Sequence, residues 1–290
     1  MTKQIKNIMS LIALVLPALF CTTAAQAQAE QKLVVPLSSP GRPAVVQAGV
    51  HSGSIHVKTH GGKEVIVRAI SNAEKERDSR KGPGMRRIPN TAFGLEIEEN
   101  RNIVEIGLDW TQQNVTLEIE VPANTSLELS TLNDGVLTVD GVEGDLELSN
   151  LNGPIRVSNV RGSVIASSNN GDVQVAFARI SPDKAMSFST LNGDVDVTFP
   201  PNLSADLRIS SARGEIYTDF DYTMMPNSPV VEKSGDRDAY RVRINRDVRA
   251  KVGNGGPEMH FKTFNGDIYI RKVGGTARDS ADGSGGRRSR

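Results

Sequence analysis

The side chains of this chain that could do chemistry are chiefly carboxylates that stand next to glycines or between apolar residues. Glu147, Asp172, Asp194 and Asp196 occupy positions of a strand-like pattern that should face outward. Glycoside hydrolases need two carboxylates at a defined separation, and polysaccharide lyases need a base beside charge-neutralising groups. Outward charge is also what any soluble repeat protein shows. We therefore predict that the chain is not an enzyme and has no catalytic residues, with a polysaccharide-acting β-helix lyase or hydrolase as the alternative.

Gly-Asp pairs invite comparison with calcium-binding β-rolls. They occur at 144–145, 171–172, 193–194 and 266–267. A β-roll needs Gly-Gly-x-Gly-x-Asp in successive repeats, so that carbonyls and carboxylates of adjacent turns surround the ion. The Gly-Gly-x-Gly part never accompanies these pairs. We therefore read the aspartates as polar residues that finish a turn, and predict no metal ion.

Histidines and a glycine-rich stretch give no stronger site. His51, His56 and His60 are close in sequence but follow no repeated ligand spacing, and His56 should face solvent because Ile55 and Val57 flank it. The stretch 253–256 resembles a phosphate loop only in its glycines, because it lacks the Lys-Ser/Thr pair and the following helix. We predict no cofactor.

The elements that position these residues repeat every nine residues. Glycines fall at Gly135, Gly144, Gly153, Gly162 and Gly171. Apolar or small residues follow two and four places on: Leu137 and Val139, Leu146 and Leu148, Ile155 and Val157, Val164 and Ala166, Val173 and Val175. Such alternation directs one side of a short strand into a core. A third apolar position, seven places after a glycine, holds Val142, Leu151 and Val160.

The corners between these strands alternate between asparagine-type and charged sequences, so the full repeat is about eighteen residues with two similar halves. We expect glycine to be the structural corner residue, because it adopts positive φ at little cost. The predicted corners are Gly135, Gly144, Gly153, Gly162, Gly171, Gly193, Gly214 and Gly266. Equivalent corners stack on one another in a solenoid, so each type of corner recurs once per turn. Nothing in an antiparallel meander requires the corner types to alternate. The prediction is an all-β, parallel β-solenoid of about 18–22 residues per rung, with an antiparallel β-sandwich as the alternative.

The N-terminus, residues 1–29, reads as a bacterial secretory signal peptide. Lys3 and Lys6 precede an apolar segment at 8–20, and small residues at 25–29 favour cleavage after Ala27 or Ala29. The only cysteine, Cys21, lies inside this segment, so the mature chain should have no disulfide. No later apolar run is long enough to span a membrane. The 34 basic and 34 acidic residues balance, which argues against a nucleic-acid partner.

The remaining chain divides into one repetitive domain and a tail. We predict a solenoid domain at 30–273, with loop insertions near 72–89 and 218–250 where charged or irregular sequence replaces the alternation. Residues 274–290 hold only small, acidic and basic residues, which predicts a disordered tail.

The amino-acid sequence of residues 117–175 and 253–270 resembles that of a bacterial putative-adhesin family of unknown function. The resemblance is carried by Leu117-Glu-Ile-Glu-Val-Pro, by Leu127-Glu-Leu-Ser-Thr-Leu-Asn and by Thr263-Phe-Asn-Gly-Asp-Ile, and it extends over about 45–271. It implies an exported, repetitive β-protein and brings no catalytic residues. We expect a non-catalytic binding or scaffold module in the periplasm, at the cell surface or outside the cell. Its ligand would be an envelope or surface component, either protein or polysaccharide.

Overall fold

The computed structural model describes residues 30–71, 94–108, 114–226, 230–233, 240–243 and 247–274. The described part is all-β. Its strands are β1 (Glu30–Pro36), β2 (Ala44–Ser52), β3 (Ile55–His60), β4 (Glu64–Ser71), β5 (Glu96–Asn100), β6 (Ile103–Gly107), β7 (Val115–Pro122), β8 (Thr125–Asn133), β9 (Leu137–Asp140), β10 (Glu143–Asn152), β11 (Ile155–Asn170), β12 (Val173–Ile180), β13 (Met186–Ser189), β14 (Val195–Phe199), β15 (Ala205–Ser211), β16 (Ile216–Thr218), β17 (Tyr222–Met225), β18 (Val230–Lys233), β19 (Tyr240–Arg243), β20 (Val248–Val252), β21 (Glu258–Thr263) and β22 (Ile268–Lys272).

The strands form a solenoid with two faces. The first face has the order β5-β6-β2-β8-β10-β11-β13-β21-β15-β20-β17. The second face has the order β1-β4-β7-β3-β9-β11-β12-β14-β22-β16. The long strand β11 turns a corner and belongs to both. Pairing is parallel through the middle of each face and antiparallel only near its ends, which confirms the predicted parallel solenoid.

One turn of the central solenoid takes eighteen residues. Leu146 of β10 pairs with Val164 of β11, and Ile155 of β11 pairs with Val173 of β12. The next rung is longer, because Ala166 pairs with Phe188 across 22 residues. Both lengths agree with the predicted range.

The core lies between the two faces, and it holds the apolar residues that follow the glycines. All ten of the alternating positions from Leu137 to Val175 are buried, as are Val142 and Val160. Toward the C-terminal half the core becomes aromatic. Phe177 stacks on Phe199 with ring centroids 5.2 Å apart, and Phe188 stacks on Phe261 at the same distance. Such side chains bury the largest apolar areas, so the four rings fill the space of the longer rungs.

The order of the rungs in space differs from their order along the chain. From one end to the other the rungs are β6–β7, β2–β3, β8–β9, β10 with the start of β11, the end of β11 with β12, β13–β14, β21–β22 and β15–β16. The first repeat along the chain therefore lies between two later ones. The last repeat, which the sequence places at the end of the array, lies between β13–β14 and β15–β16. Strands that share the same pattern of inward-facing residues fit equally well at several positions of the stack. The periodicity of the sequence therefore does not determine the order of the rungs in space.

The predicted insertions fall only partly within the described residues. Residues 72–89 lie outside them, as do 1–29 and 275–290. Near 218–250, β17 pairs antiparallel with β20, and β18 pairs antiparallel with β19. Within the described ranges no helix is long and apolar enough to cross a membrane.

Candidate functional site

Glycines form a column at the corner where each rung passes from the first face to the second. The column contains Gly53, Gly135, Gly153, Gly171, Gly193, Gly266 and Gly214, in that order. A Cβ on Gly153 would overlap the carbonyl oxygen of Gly135, and the same conflict recurs at every later step. Six of the eight glycines singled out in the sequence lie in this column. The other two, Gly144 and Gly162, lie at the opposite corner, where a Cβ on Gly162 would overlap the carbonyl of Gly144.

Polar side chains lie directly beside the glycine column on its inner side, and all of them except Ser211 are buried. Each donates a hydrogen bond to a glycine carbonyl of a neighbouring rung: Asn150 Nδ2 to Gly135 at 2.9 Å, Ser168 Oγ to Gly153 at 3.0 Å, Thr190 Oγ1 to Gly171 at 2.8 Å, Thr263 Oγ1 to Gly193 at 3.0 Å and Ser211 Oγ to Gly266 at 3.2 Å. The close stacking of glycines leaves these carbonyls inside the molecule, where an unpaired polar group is costly. The corner therefore selects hydroxyl and amide side chains on its inner side.

The structure of this corner shows that the sequence prediction of a core position for Leu151 is wrong. The third apolar position of the repeat is buried at Val142 and Val160, but Leu151 is 40% exposed. Its neighbour Asn150 is buried instead, at 1% exposure. The strand alternation continues through Asn150, so Leu151 must face outward. The two halves of the repeat thus use different corners, one closed by valine and the other by a hydrogen-bonded polar residue.

An asparagine ladder follows on the solvent side of the same corner. The amide of Asn170 donates to Asn152 at 2.7 Å, Asn192 donates to Asn170 at 2.7 Å, and Asn265 donates to Asn192 at 2.7 Å. At the other end, Asn152 donates to Asn133 at 3.3 Å. Each amide is both donor and acceptor, so identical side chains in register bond to one another. The ladder fixes the register of the corner.

The outward residues beside this ladder form an apolar ridge. It consists of Leu132, Leu151, Leu191 and Phe264, each between 39% and 46% exposed, with Asn169 at the intervening rung. The Arg213 guanidinium lies 5.3 Å from the centre of the Phe264 ring. Large apolar side chains that line up in the open are unusual on a soluble protein, and such patches mark interaction sites.

A shallow groove of about 340 Å³ runs along the ridge on the side of the first face. Its other wall is a column of serines, Ser130, Ser149, Ser167 and Ser189, which pair with one another in register from rung to rung. Lys262 continues this column on the next rung. We call this feature the serine groove. Sequence analysis missed it, although a serine follows the second inward residue of each of these four rungs.

The outward acids do not gather in a cleft. The carboxylates of Asp172 and Asp194 accept backbone N–H groups of the next rung, from Asp194 at 2.9 Å and from Asp267 at 2.8 Å. Asp196 pairs with Arg271 at 2.9 Å on the second face, and Glu147 lies on the first face. Three of the four candidate acids are thus engaged in structural contacts. The aspartates of the Gly-Asp pairs 171–172 and 193–194 cap corners.

Asp145, from the Gly-Asp pair 144–145, is also engaged. Lys184 and the Ser163 hydroxyl bond to its carboxylate, at 2.5 Å and 2.6 Å, and hold its pKa below the ordinary value. Among the described residues no cluster of three or more histidine or acidic side chains is arranged to hold a metal ion.

The three histidines are not brought together as a ligand set. His51 and His56 are exposed, and His60 is the last residue of β3, next to the turn that leads to β4. There the Gly62 N–H donates to His60 Nδ1 at 3.0 Å, and His60 Nε2 bonds to the Glu64 carbonyl at 2.8 Å. Both ring nitrogens of His60 are therefore occupied by the backbone of its own turn.

Comparison with known proteins gives a family and several structures. The family model described as Toastrack DUF4097 matches residues 46–271. No curated protein matches the chain. A crystal structure of a putative cell adhesion protein from Clostridium sporogenes matches at 11% identity and a TM-score of 0.39, covering 84% of this chain and 98% of that one. Putative adhesins from Bacteroides fragilis and Parabacteroides distasonis match at 11% and 10% identity with TM-scores of 0.35 and 0.31; each match covers 84% of this chain, and 96% and 97% of those chains.

Proposed function

The chain belongs to the Toastrack DUF4097 family, and we propose that it acts as a non-catalytic binding or scaffold module of the cell envelope or cell surface. The observation that carries this proposal is the unbroken stack of rungs, which presents one corner chemistry repeatedly along the molecule. Adjacent repeats of a solenoid form a continuous surface, and such surfaces suit extended partners without needing a deep cleft. The structures above are named a putative cell adhesion protein and putative adhesins, and these names agree with a binding role.

Export is part of the proposal. A signal peptide at residues 1–29, cleaved after Ala27 or Ala29, would deliver the mature chain to the periplasm, the cell surface or the medium. Expression of the full chain in a bacterial host with a Sec pathway tests it. The exported product should have the mass of a chain that starts at Gln28 or Glu30, and an uncleaved product held in the cytoplasm would contradict it.

Binding is tested with the mature protein. Purified residues 30–290 should bind saturably to an isolated envelope or surface fraction and show no turnover on a panel of envelope and host polysaccharides. Deletion of residues 74–87, within the predicted charged insertion, should weaken binding without lowering the melting temperature. Binding residues are often on loops, whereas the scaffold that holds the loops provides the stability. A protein that binds no fraction would contradict the proposal.

The same panel tests the enzyme alternative. A polysaccharide lyase or hydrolase would need a pair of outward acids free to reach one substrate. Robust glycan cleavage that is lost on replacing Glu147 together with a second outward acid would replace the binding proposal with that alternative. The engagement of Asp172, Asp194 and Asp196 in corner and ion-pair contacts gives the alternative no specific support.

A further inference from the structure

The hydroxyls of the serine groove are unpaired. Ser130, Ser149, Ser167 and Ser189 have no hydrogen-bond partner among the residues that the structure describes. By contrast, the Ser163 hydroxyl near the opposite corner is engaged, because it donates to Asp145 at 2.6 Å. The groove therefore presents four free donor and acceptor groups, one per rung, in a straight column.

The floor of the groove is the strand backbone between its two walls. Thr131 and Asn150 lie on this floor, but their side chains point inward and are each 1% exposed, because neighbouring residues of a strand face opposite sides. A ligand in the groove therefore meets the serine hydroxyls of one wall and the apolar side chains of the other.

The groove is almost free of charge. Lys262 is the only ionisable side chain among its lining residues, although 23% of the whole chain is charged. One wall offers hydroxyls and the other offers the apolar ridge. This combination suits a ligand that has hydroxyl edges, apolar C–H faces and little net charge, and it does not suit a polyanion.

The spacing of the groove indicates the kind of ligand. Strands of a sheet lie about 4.8 Å apart, so each hydroxyl and ridge pair recurs at about that interval along the solenoid axis. An extended peptide places side chains of one face about 6.8 Å apart, which falls out of step with the rungs. In a fully extended pyranose chain, the length of the chain per sugar is close to the spacing between two rungs.

We propose that the serine groove binds a linear, extended glycan whose chain runs along the axis of the solenoid. This inference rests on the proposed binding function and names its site and ligand class. Successive sugars bond to Ser149 and Ser167 through their hydroxyls and pack their C–H faces on Leu151 and its neighbours in the ridge. Lys262 binds a ring oxygen or a single acidic group at one end.

Calorimetric titration with oligosaccharides tests the inference. The probes are cellohexaose and the hexamer of N-acetylglucosamine, both β-1,4-linked and extended, with α-linked maltohexaose, which coils, as the geometric control. We expect at least one extended hexamer to bind, with affinity rising from the disaccharide to the tetrasaccharide as further rungs are occupied. Maltohexaose should bind much more weakly because its sugars cannot follow the column.

Two single variants locate the binding. Leu151→Asn introduces the residue that Asn169 already supplies on the adjacent rung, and Ser167→Glu places a charge in the wall. Each should weaken binding of the hexamer by about tenfold or more, which corresponds to about 1.4 kcal/mol. The matched control is Val34→Asn, on the outermost strand of the second face, where Val34 is 58% exposed. It should leave affinity unchanged, and equal melting temperatures confirm that the variants are folded.

The outcomes separate this inference from the proposed function. Failure of both extended hexamers to bind, while the protein still binds an envelope fraction, overturns the glycan groove and leaves the binding module standing. Hexamer binding that survives both Leu151→Asn and Ser167→Glu also overturns the groove. Failure to bind either the hexamers or any envelope fraction removes both.

Discussion

Replacing Thr190 by valine should destabilise the protein, although the change removes a polar atom from a buried position. Thr190 is 6% exposed and its hydroxyl donates to the Gly171 carbonyl at 2.8 Å. Valine has nearly the same shape, so the variant deletes this hydrogen bond without leaving a cavity. A buried acceptor that loses its donor costs about 1–3 kcal/mol.

The effect should be visible in thermal and urea unfolding. For a domain of this size each kcal/mol lowers the melting temperature by about 2–4 °C, so we expect a fall of about 2–12 °C. The control is Thr138→Val on β9, because Thr138 faces outward and its hydroxyl has no partner among the described residues. Thr138→Val should change stability by less than about 0.5 kcal/mol. A Thr190→Val variant as stable as the wild type would refute the hydrogen-bonded corner.

Three further predictions concern register, the tail and pH. Leu148→Asp should abolish soluble folded protein, since Leu148 is 1% exposed, whereas Glu147→Ala should change little; equal melting temperatures would overturn the register. Truncation of 274–290 should leave thermal unfolding unchanged, because that composition cannot bury a core, and a large fall would show a structural cap. Lys184→Met should raise the pKa of Asp145, which Lys184 and the Ser163 hydroxyl hold below the ordinary value. Since the folded pKa is depressed, the stabilisation by Asp145 is present above its unfolded pKa and is lost as the pH falls through the folded value; an unchanged pKa in an NMR titration of the carboxyl would contradict the pairing.

The register of the central strands follows from sequence because side chains alternate with a period of two. Leu146 and Leu148 point inward, and Glu147 does not, as the alternation predicts. The eighteen-residue repeat likewise follows from the alternating corners, and it equals the offset between Leu146 and Val164. Both features depend on residues that are close together in the chain, and the spacing of such residues can be read directly from the sequence.

The sequence could not reveal whether residue 150 or residue 151 faces the interior at the corner of the glycine column. A leucine at position 151 looks like a core residue, and the adjacent asparagine looks like a turn residue. The assignment reverses because stacked glycines bring their carbonyls into the interior, and those carbonyls need donors from Asn150 and its equivalents. The serine groove was missed because each rung contributes only one serine to its wall, and the column forms only when the rungs stack in register.

The sequence by itself determined the strand period, the length of a rung and the glycines on which the rungs turn. Only the tertiary structure decided that β2–β3 and β21–β22 lie inside the array, each inserted between two rungs that follow one another in the sequence. A ladder requires only that neighbouring strands share one inward pattern, and several repeats of this chain satisfy that condition equally. The choice among them depends on contacts between residues that are far apart in the chain, and a local period carries no information about such contacts.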